Sequence, residues 1–341
     1  MKKTNISILL ICFFISFSNN QAFPSKISNE QILDLSDKHV AIFSNQLKRI
    51  CNSSKFYHNL KKTFKHEFGE ANEWKQKCLI LKEKNSVKEF KNYLIQNFKF
   101  KKIQKHPGLL TGYYEPIIKV SRKRNNVYKF PILGKNKYYI KKPRNFIEKN
   151  FRKKDVILWT DDKINLFFLH IQGSGIGEFS NKEKVKIVYD GNNEMSYTSI
   201  GKLLIKKEYI NRDNVNLFTI KEWLRANSNL SKEILNLNKR FIFFKEISFG
   251  VEVQPVGAFG IPLMPNYSIA VDKNIYPLGL PFFIQMEKDK SILPVVSLDT
   301  GGAIIGANRA DLFFGRGDVA EKKAGILKKK IYLHAFIPYS N

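Results

Sequence analysis

Two carboxylates in apolar surroundings, Asp299 and Asp311, stand within the stretch SLDTGGAIIGANRADLFFGRG, residues 297–317. The run LPVVSL leads into Asp299 and RADLFF carries Asp311; both have strand character and are separated by glycine-rich turns. A strand puts alternate residues on one face, so Arg309, Asp311 and Phe313 are expected on one side and Ala310, Leu312 and Phe314 on the other. Aspartate is disfavoured in strands, and its presence in RADLFF asks for a reason. Paired acids can cleave a glycosidic bond by general acid–base chemistry. Glycines such as Gly301 and Gly302 would let an extended polymer lie against the backbone. The plain alternative is a turn aspartate bonded to its own backbone, which suits Asp299 better than Asp311.

A second polar group lies in HPGLLTGYYEPIIKV, where Tyr113, Tyr114 and Glu115 interrupt short-strand material. Tyrosine rings suit sugar faces; an edge strand is the alternative. A third is Gln172-Gly173-Ser174, read as a polar tip closing the strand-like NLFFLHIQ.

The rest of the chain must position these groups. Its 341 residues allow two modest domains, and 43% hydrophobic content is that of a globular protein. The net charge of +28 invites nucleic acid. Lysine far outnumbers arginine, however, and arginine is the better fork for phosphates and bases, so a nucleic-acid partner is not expected. An acidic polymer or anionic membrane surface fits the charge. Lys2-Lys3, the apolar run from Ile6 to Phe17 and the polar residues after it form an export signal over 1–22, with cleavage expected after Ala22. Cys12 sits inside the apolar run, so no lipid anchor is supported. Cys51 and Cys78 remain for a disulfide in an oxidising compartment, or as two buried thiols. No histidine pattern matches a metal site, and no metal or cofactor is expected.

Residues 23–35 read as loose, with helices expected over 36–51, over 70–81 and from Ser86, whose SVKE opens a capping box. From His106 short strands dominate, KYYI included. Helices return after Asp190: one over 198–205, one opened by a capping box at Thr219, and one over 231–237. From Phe241 onward, PVGAFGIPLMP included, the pattern is again short strands. The expected class is mainly β with peripheral helices, built on barrels.

GYYEP (112–116), FFLHIQGSG (167–175), YDG (189–191), YTSIGKLLI (197–205), GAFGIPLMPNYSIAVD (257–272) and LDTGGAIIGANRADLFFGRGDVAEKKAG (298–325) together resemble the membrane-bound lytic murein transglycosylase A family. The resemblance covers about 106 to 334. It implies a double-psi β-barrel formed by residues 23–118 and 248–341, a second β-rich, barrel-like domain inserted at 119–247, and a glycan groove between them. It also implies three signature aspartates at Asp272, Asp299 and Asp311, with Asp311 as proton donor and the other two supporting it. Tyr113, Tyr114, Glu115, Gln172, Gly173, Ser174, Gly301 and Gly302 would line the groove. The activity implied is non-hydrolytic cleavage of peptidoglycan to 1,6-anhydromuropeptides by a monomer in the periplasm, associated with the outer membrane. Three rivals remain: an inverting hydrolase using Asp299 and Asp311, an aspartic protease from the lone Asp-Thr-Gly at 299–301, and an expansin-like module that binds wall glycan without cutting.

Overall fold

The computed structural model describes residues 26–63, 67–247 and 254–340. The export segment read over 1–22 lies outside them, as does residue 248, where the second part of the barrel is expected to start.

Five helices lead the chain: α1 (Asn29–Leu33), α2 (Asp37–Cys51), α3 (Ser54–Thr63), α4 (Ala71–Lys82) and α5 (Val87–Asn97). Residues 29–33 were expected to be loose. They are helical because Ser28 and Gln31 close a capping box and Ile32 is buried. The apolar stripe of α2, Val40, Phe43, Leu47 and Ile50, is buried, as its spacing predicts. Phe43 meets Phe336 of the barrel at 5.8 Å and Phe90 of α5 at 6.2 Å. Cys51 and Cys78 form a disulfide that ties α2 to α4.

Strands β1 (Phe98–Lys102) and β2 (Gly108–Glu115) follow, then β3 (Ile117–Ser121), β4 (Phe130–Leu133), β5 (Val156–Thr160), β6 (Gly175–Glu178), β7 (Lys184–Asn192) and β8 (Ile242–Ile247). The last five are β9 (Ser268–Ala270), β10 (Pro281–Met286), β11 (Ile292–Asp299), β12 (Arg309–Arg316) and β13 (Lys328–Pro338). One sheet runs β13-β10-β11-β9-β12-β2 and closes through a β2–β13 ladder into a six-stranded barrel, with β1 added outside on β13. The β11–β9 and β12–β2 pairs are parallel and the other pairs antiparallel. A second six-stranded sheet, β4-β5-β3-β6-β7-β8, is built from strands between the two halves of the barrel. The chain is thus mainly β with helices on the outside, as expected.

Between these strands lie α6 (Arg144–Asn150), α7 (Lys163–Gln172), α8 (Ile200–Lys206), α9 (Leu217–Ala226), α10 (Ser228–Leu237) and α11 (Gly317–Ile326). NLFFLHIQ is helix α7, not a strand. Asp162 caps it by accepting from Ile164 N and Asn165 N, and Gly173, at φ +82°, ends it in the left-handed conformation. Its run lacks helical periodicity because both sides are buried. Leu166 and Leu169 face the second sheet, while Phe167 and Phe168 pack among α8, α9 and α10. KYYI is a 3-10 turn capped by Asn136, with Tyr139 fully buried, where a strand was expected. Helix α9 starts two residues before Thr219: Asn216 is its cap and Thr219 is the returning arm of the box. PVGAFGIPLMP contributes one isolated bridge, Val256 to Pro262, because its prolines and glycines break any ladder. The tail is not all strand, since GDVAEKKAGI forms α11, which buries only Ala320 and Ala324. So small a buried face leaves little apolar pattern to read.

Candidate active site

Strand β9 is the hinge of the site. Its Ala270 pairs with Asp299 of β11 on one side and with Asp311 of β12 on the other. The two aspartates therefore flank a single short strand, with Cα atoms about 10 Å apart at two strand spacings. Asp272, two residues on, is 6% exposed. Its Oδ1 accepts from Asn274 N (3.0 Å) and its Oδ2 from Gly306 N (2.9 Å). Oδ1 thus closes the turn that follows β9, and Oδ2 anchors the loop joining β11 to β12. The Tyr276 hydroxyl donates to Ala307 O in the same loop. Asp272 acts through the backbone that carries the other two acids.

Asp299 Oδ1 accepts from Ala258 N (3.0 Å) and Thr300 N (2.9 Å). Burial pushes its carboxyl above the usual range; these two N–H groups and the Tyr113 hydroxyl pull it back, and Asp311 raises it further. Tyr113 packs its ring on Phe313 at 5.2 Å and turns a buried hydroxyl towards Asp299, without closing to full hydrogen-bond geometry. Burial and the two aspartates hold that phenol well above its ordinary value.

Asp311 pairs with Thr111 across the parallel β12–β2 ladder. The Thr111 hydroxyl accepts from Arg309 Nη2 at 2.7 Å and donates to Asp311 Oδ1. Arg309 therefore reaches the carboxyl through a hydroxyl; no salt bridge joins Asp311 to a cation among the described residues. Burial raises the Asp311 pKa, while Arg309 and the Thr111 hydrogen bond lower it; the net shift is upward. Phe313, expected on the same strand face as Asp311, is 1% exposed in the barrel core, where the ladder changes register after it.

The second sheet supplies the opposite wall. Asn193 and Asn238, both essentially unexposed, tie together chain segments around 142, 198 and 239–241. Asn193 Nδ2 donates to Lys142 O and Lys239 O, its Oδ1 accepts from Phe241 N, and Asn238 Oδ1 accepts from Thr198 N. Buried Arg144 adds bonds to Asn238 O (3.1 Å) and Arg240 O (2.7 Å) and meets His170 Nδ1 at 3.2 Å. Burial, then the Arg144 charge, hold His170 well below its ordinary pKa, so the pair carries one charge, not two. This scaffold presents Tyr197 and Arg240 to the barrel. Tyr197 is close enough to Asp311 and Arg309 to feel both: burial raises its pKa, Ser199 lowers it, Asp311 raises it and Arg309 lowers it. Arg240 lies over Gly302, where a Cβ would stand 3.4 Å from its Nε.

The expected site residues divide accordingly. Asp299, Asp311, Tyr113, Gly301 and Gly302 come together with Asp272 behind them. Tyr114 points elsewhere: it is 3% exposed, packs against Ala320 and Ala324 of α11, and its hydroxyl is raised by burial and by Glu321. Glu115 is buried in an ion pair with Arg316 Nε at 2.7 Å. Gln172 accepts from Tyr114 N through Oε1 (3.1 Å), and Gly173 caps α7. Ser174 follows that cap and leads into β6. Thr111, Tyr197 and Arg240 join the site without having been expected there. Gly112-Tyr113 signals a tight approach, and a Cβ at Gly112 would lie 2.6 Å from Ala324 Cα. Tyr197 opens the YTSIGKLLI motif, but its role there, like that of Arg240, depends on contacts across the two sheets.

Residues 134–245 match the MltA specific insert domain and residues 267–336 the 3D domain. The chain is 31% identical, over 95% of its length and 94% of the relative's, to a membrane-bound lytic murein transglycosylase A homolog of Buchnera aphidicola subsp. Schizaphis graminum. It is 32% identical to the membrane-bound lytic murein transglycosylase A of Vibrio cholerae over 64% of this chain and 62% of that one. Among solved structures, a membrane-bound lytic murein transglycosylase from Agrobacterium tumefaciens superposes with a TM-score of 0.77 at 23% identity, covering 92% of this chain and 97% of that one. Escherichia coli MltA with bound chitohexaose superposes at 0.72 and 22% identity, covering 89% and 91%.

Proposed function

This chain belongs to the membrane-bound lytic murein transglycosylase A family, and from that premise we propose that it cleaves peptidoglycan glycan strands at the β-1,4 bond between N-acetylmuramic acid and N-acetylglucosamine, without water. The observation that carries the reading is Asp311: a desolvated carboxyl, its pKa raised, facing the insert's Tyr197 and contacted by a hydroxyl instead of a cation. Such a group keeps its proton to higher pH than an exposed aspartate does and can give it up in a site that favours neither form strongly.

Asp311 would protonate the bridging oxygen as the C1–O bond breaks and positive charge develops on the muramyl ring. Its carboxylate would then take the proton from the C6 hydroxyl as that oxygen attacks C1, closing the 1,6-anhydro ring. The acid is thereby restored and no water is consumed. Asp299, held by two backbone N–H groups, would steady the developing charge. Tyr197 and Arg240 would bond the strand from the insert side. The Cys51–Cys78 disulfide supports an exported protein, and the periplasm with outer-membrane association is the compartment we infer. No helix among the described residues is long and apolar enough to cross a membrane.

The test is Asp311→Asn on purified sacculi with mass analysis of the products. The variant should lose at least about a hundredfold in rate, the usual scale for a general acid. Wild-type product heavier by one water would instead mean hydrolysis, as the inverting reading requires, and release at an undiminished rate by the variant would remove Asp311 from the mechanism.

A further inference from the structure

A cavity of about 910 Å³ opens beside Asp311, between β2 and the α11–β13 turn on the barrel and helices α7, α8 and α9 on the insert. It shares a border with the catalytic group. Thr111 lines it while donating to Asp311, and Ser199 lines it two residues after Tyr197. The walls are largely aliphatic, with Leu109, Ile171, Ile205, Val215, Leu217 and Ile220. The only charged side chains in the lining are the cations Lys202, Lys206, Arg212 and Lys328; no aspartate or glutamate joins them. None of the four makes an ion pair among the described residues, and Lys328 Nζ instead donates to Arg212 O at 3.3 Å.

A sugar ring is neutral and rich in hydroxyls, and it asks for a wall of donors and acceptors. This cavity offers hydrocarbon and unpaired positive charge. It suits a short ligand with small aliphatic side chains and several carboxylates, and its volume falls in the range of ordinary ligand sites. Within the reading above, on which this inference rests, the substrate carries such a group: a stem peptide of alanine and acidic residues hangs from the lactyl ether of each muramyl unit. We propose that the cavity seats this stem peptide, its carboxylates meeting Lys202, Lys206 and Arg212 and its methyl groups lying on the aliphatic wall. A muramyl ring bound at Asp311 would then be selected by its peptide as well as by its sugar. Cations set against a low-dielectric wall attract carboxylates more strongly than cations in open solvent do.

The experiment compares glycan strands that retain their stem peptides with the same strands stripped by an amidase, measuring kcat/KM for anhydro-product release on each. Wild type should prefer the stem-bearing strands by about tenfold or more. Lys202→Glu combined with Arg212→Glu, both exposed and so tolerated by the fold, should lower that preference by at least about fivefold, the scale of two reversed rim charges. Lys232→Glu, on the exposed face of α10, should leave the preference as in wild type. An unmoved ratio in the double variant, or equal weakening on both substrates as general polyanion attraction would give, overturns the stem-peptide site. Failure of wild type to release anhydro product from either substrate overturns the function reading instead.

Discussion

The ladder between β2 and β12 holds two carboxyls a few residues apart, Glu115 buried and Asp311 half-buried, and it treats them differently. At one end Asp311 stands opposite Thr111, met by a hydroxyl. At the other, Glu115 stands opposite Arg316 and pairs with its guanidinium at 2.7 Å. Lys186 of the insert lies near that pair; burial lowers its amine pKa, Glu115 raises it and Arg316 lowers it. Glu115 is the last residue of β2, where the chain leaves the barrel for the second sheet. A carboxyl given a cation at such a crossing is a strut, because each charge satisfies the other. A half-buried carboxyl met only by a hydroxyl is held in a state that folding alone has no use for. The difference separates structure from chemistry among residues of the same type.

The sharpest break of this contrast is activity. Asp311→Asn should abolish anhydro-product release by at least about a hundredfold, whereas Glu115→Gln, if folded, should stay within about threefold of wild type per mole of native protein. Equal losses in both would erase the distinction. Next in size is stability at the strut. Arg316→Met leaves Glu115 buried beside Lys186 alone and should cost about 2–3 kcal/mol, less than a pair stripped of every cation. Urea titration followed by circular dichroism measures it; an unchanged midpoint would mean that the pair holds nothing.

This contrast was only half legible in the sequence. Asp299 and Asp311 stood out because acids in strands need explaining, and β11 and β12 followed from their alternation. Glu115 and Tyr114 read as groove residues because GYYEP carries no sign of which face each residue takes. Tyr114 turns to α11, a helix whose small buried face left no periodic signal. NLFFLHIQ read as a strand for the opposite reason, being apolar on both sides. Arg240 carries no local signal, and Tyr197, though it opens the YTSIGKLLI motif, carries none of its role, since both reach the site through Asn193, Asn238 and Arg144, whose roles exist only once the sheets have met.

A subtler break lies at Thr111. Its hydroxyl relays the Arg309 charge and lowers the Asp311 pKa. Thr111→Val keeps the shape and removes the donor. The alkaline limb of the kcat/KM profile, where the acid loses its proton, should move to higher pH, with the rate at the optimum reduced by about tenfold or less. A limb that stays put would mean that Thr111 does not tune the acid.

The smallest effect tests the premise of the whole comparison, that Asp311 is held without a cation where Glu115 is paired with one. Because its folded pKa is raised, the native protein keeps this proton to a higher pH than the unfolded chain does. Between the two values the native state binds more protons, so stability falls as pH rises, and the loss is complete above the folded pKa. Asp311→Asn removes that loss. The variant should therefore melt higher than wild type at pH 8, by about 1–3 °C. The gap should close below about pH 4, where the unfolded carboxyl is itself protonated. Scanning calorimetry across this window reads the sign directly. A variant that melts lower at pH 8 would mean that the carboxylate is held ionised by its neighbours, as a strut would be, and Asp311 would then belong with Glu115.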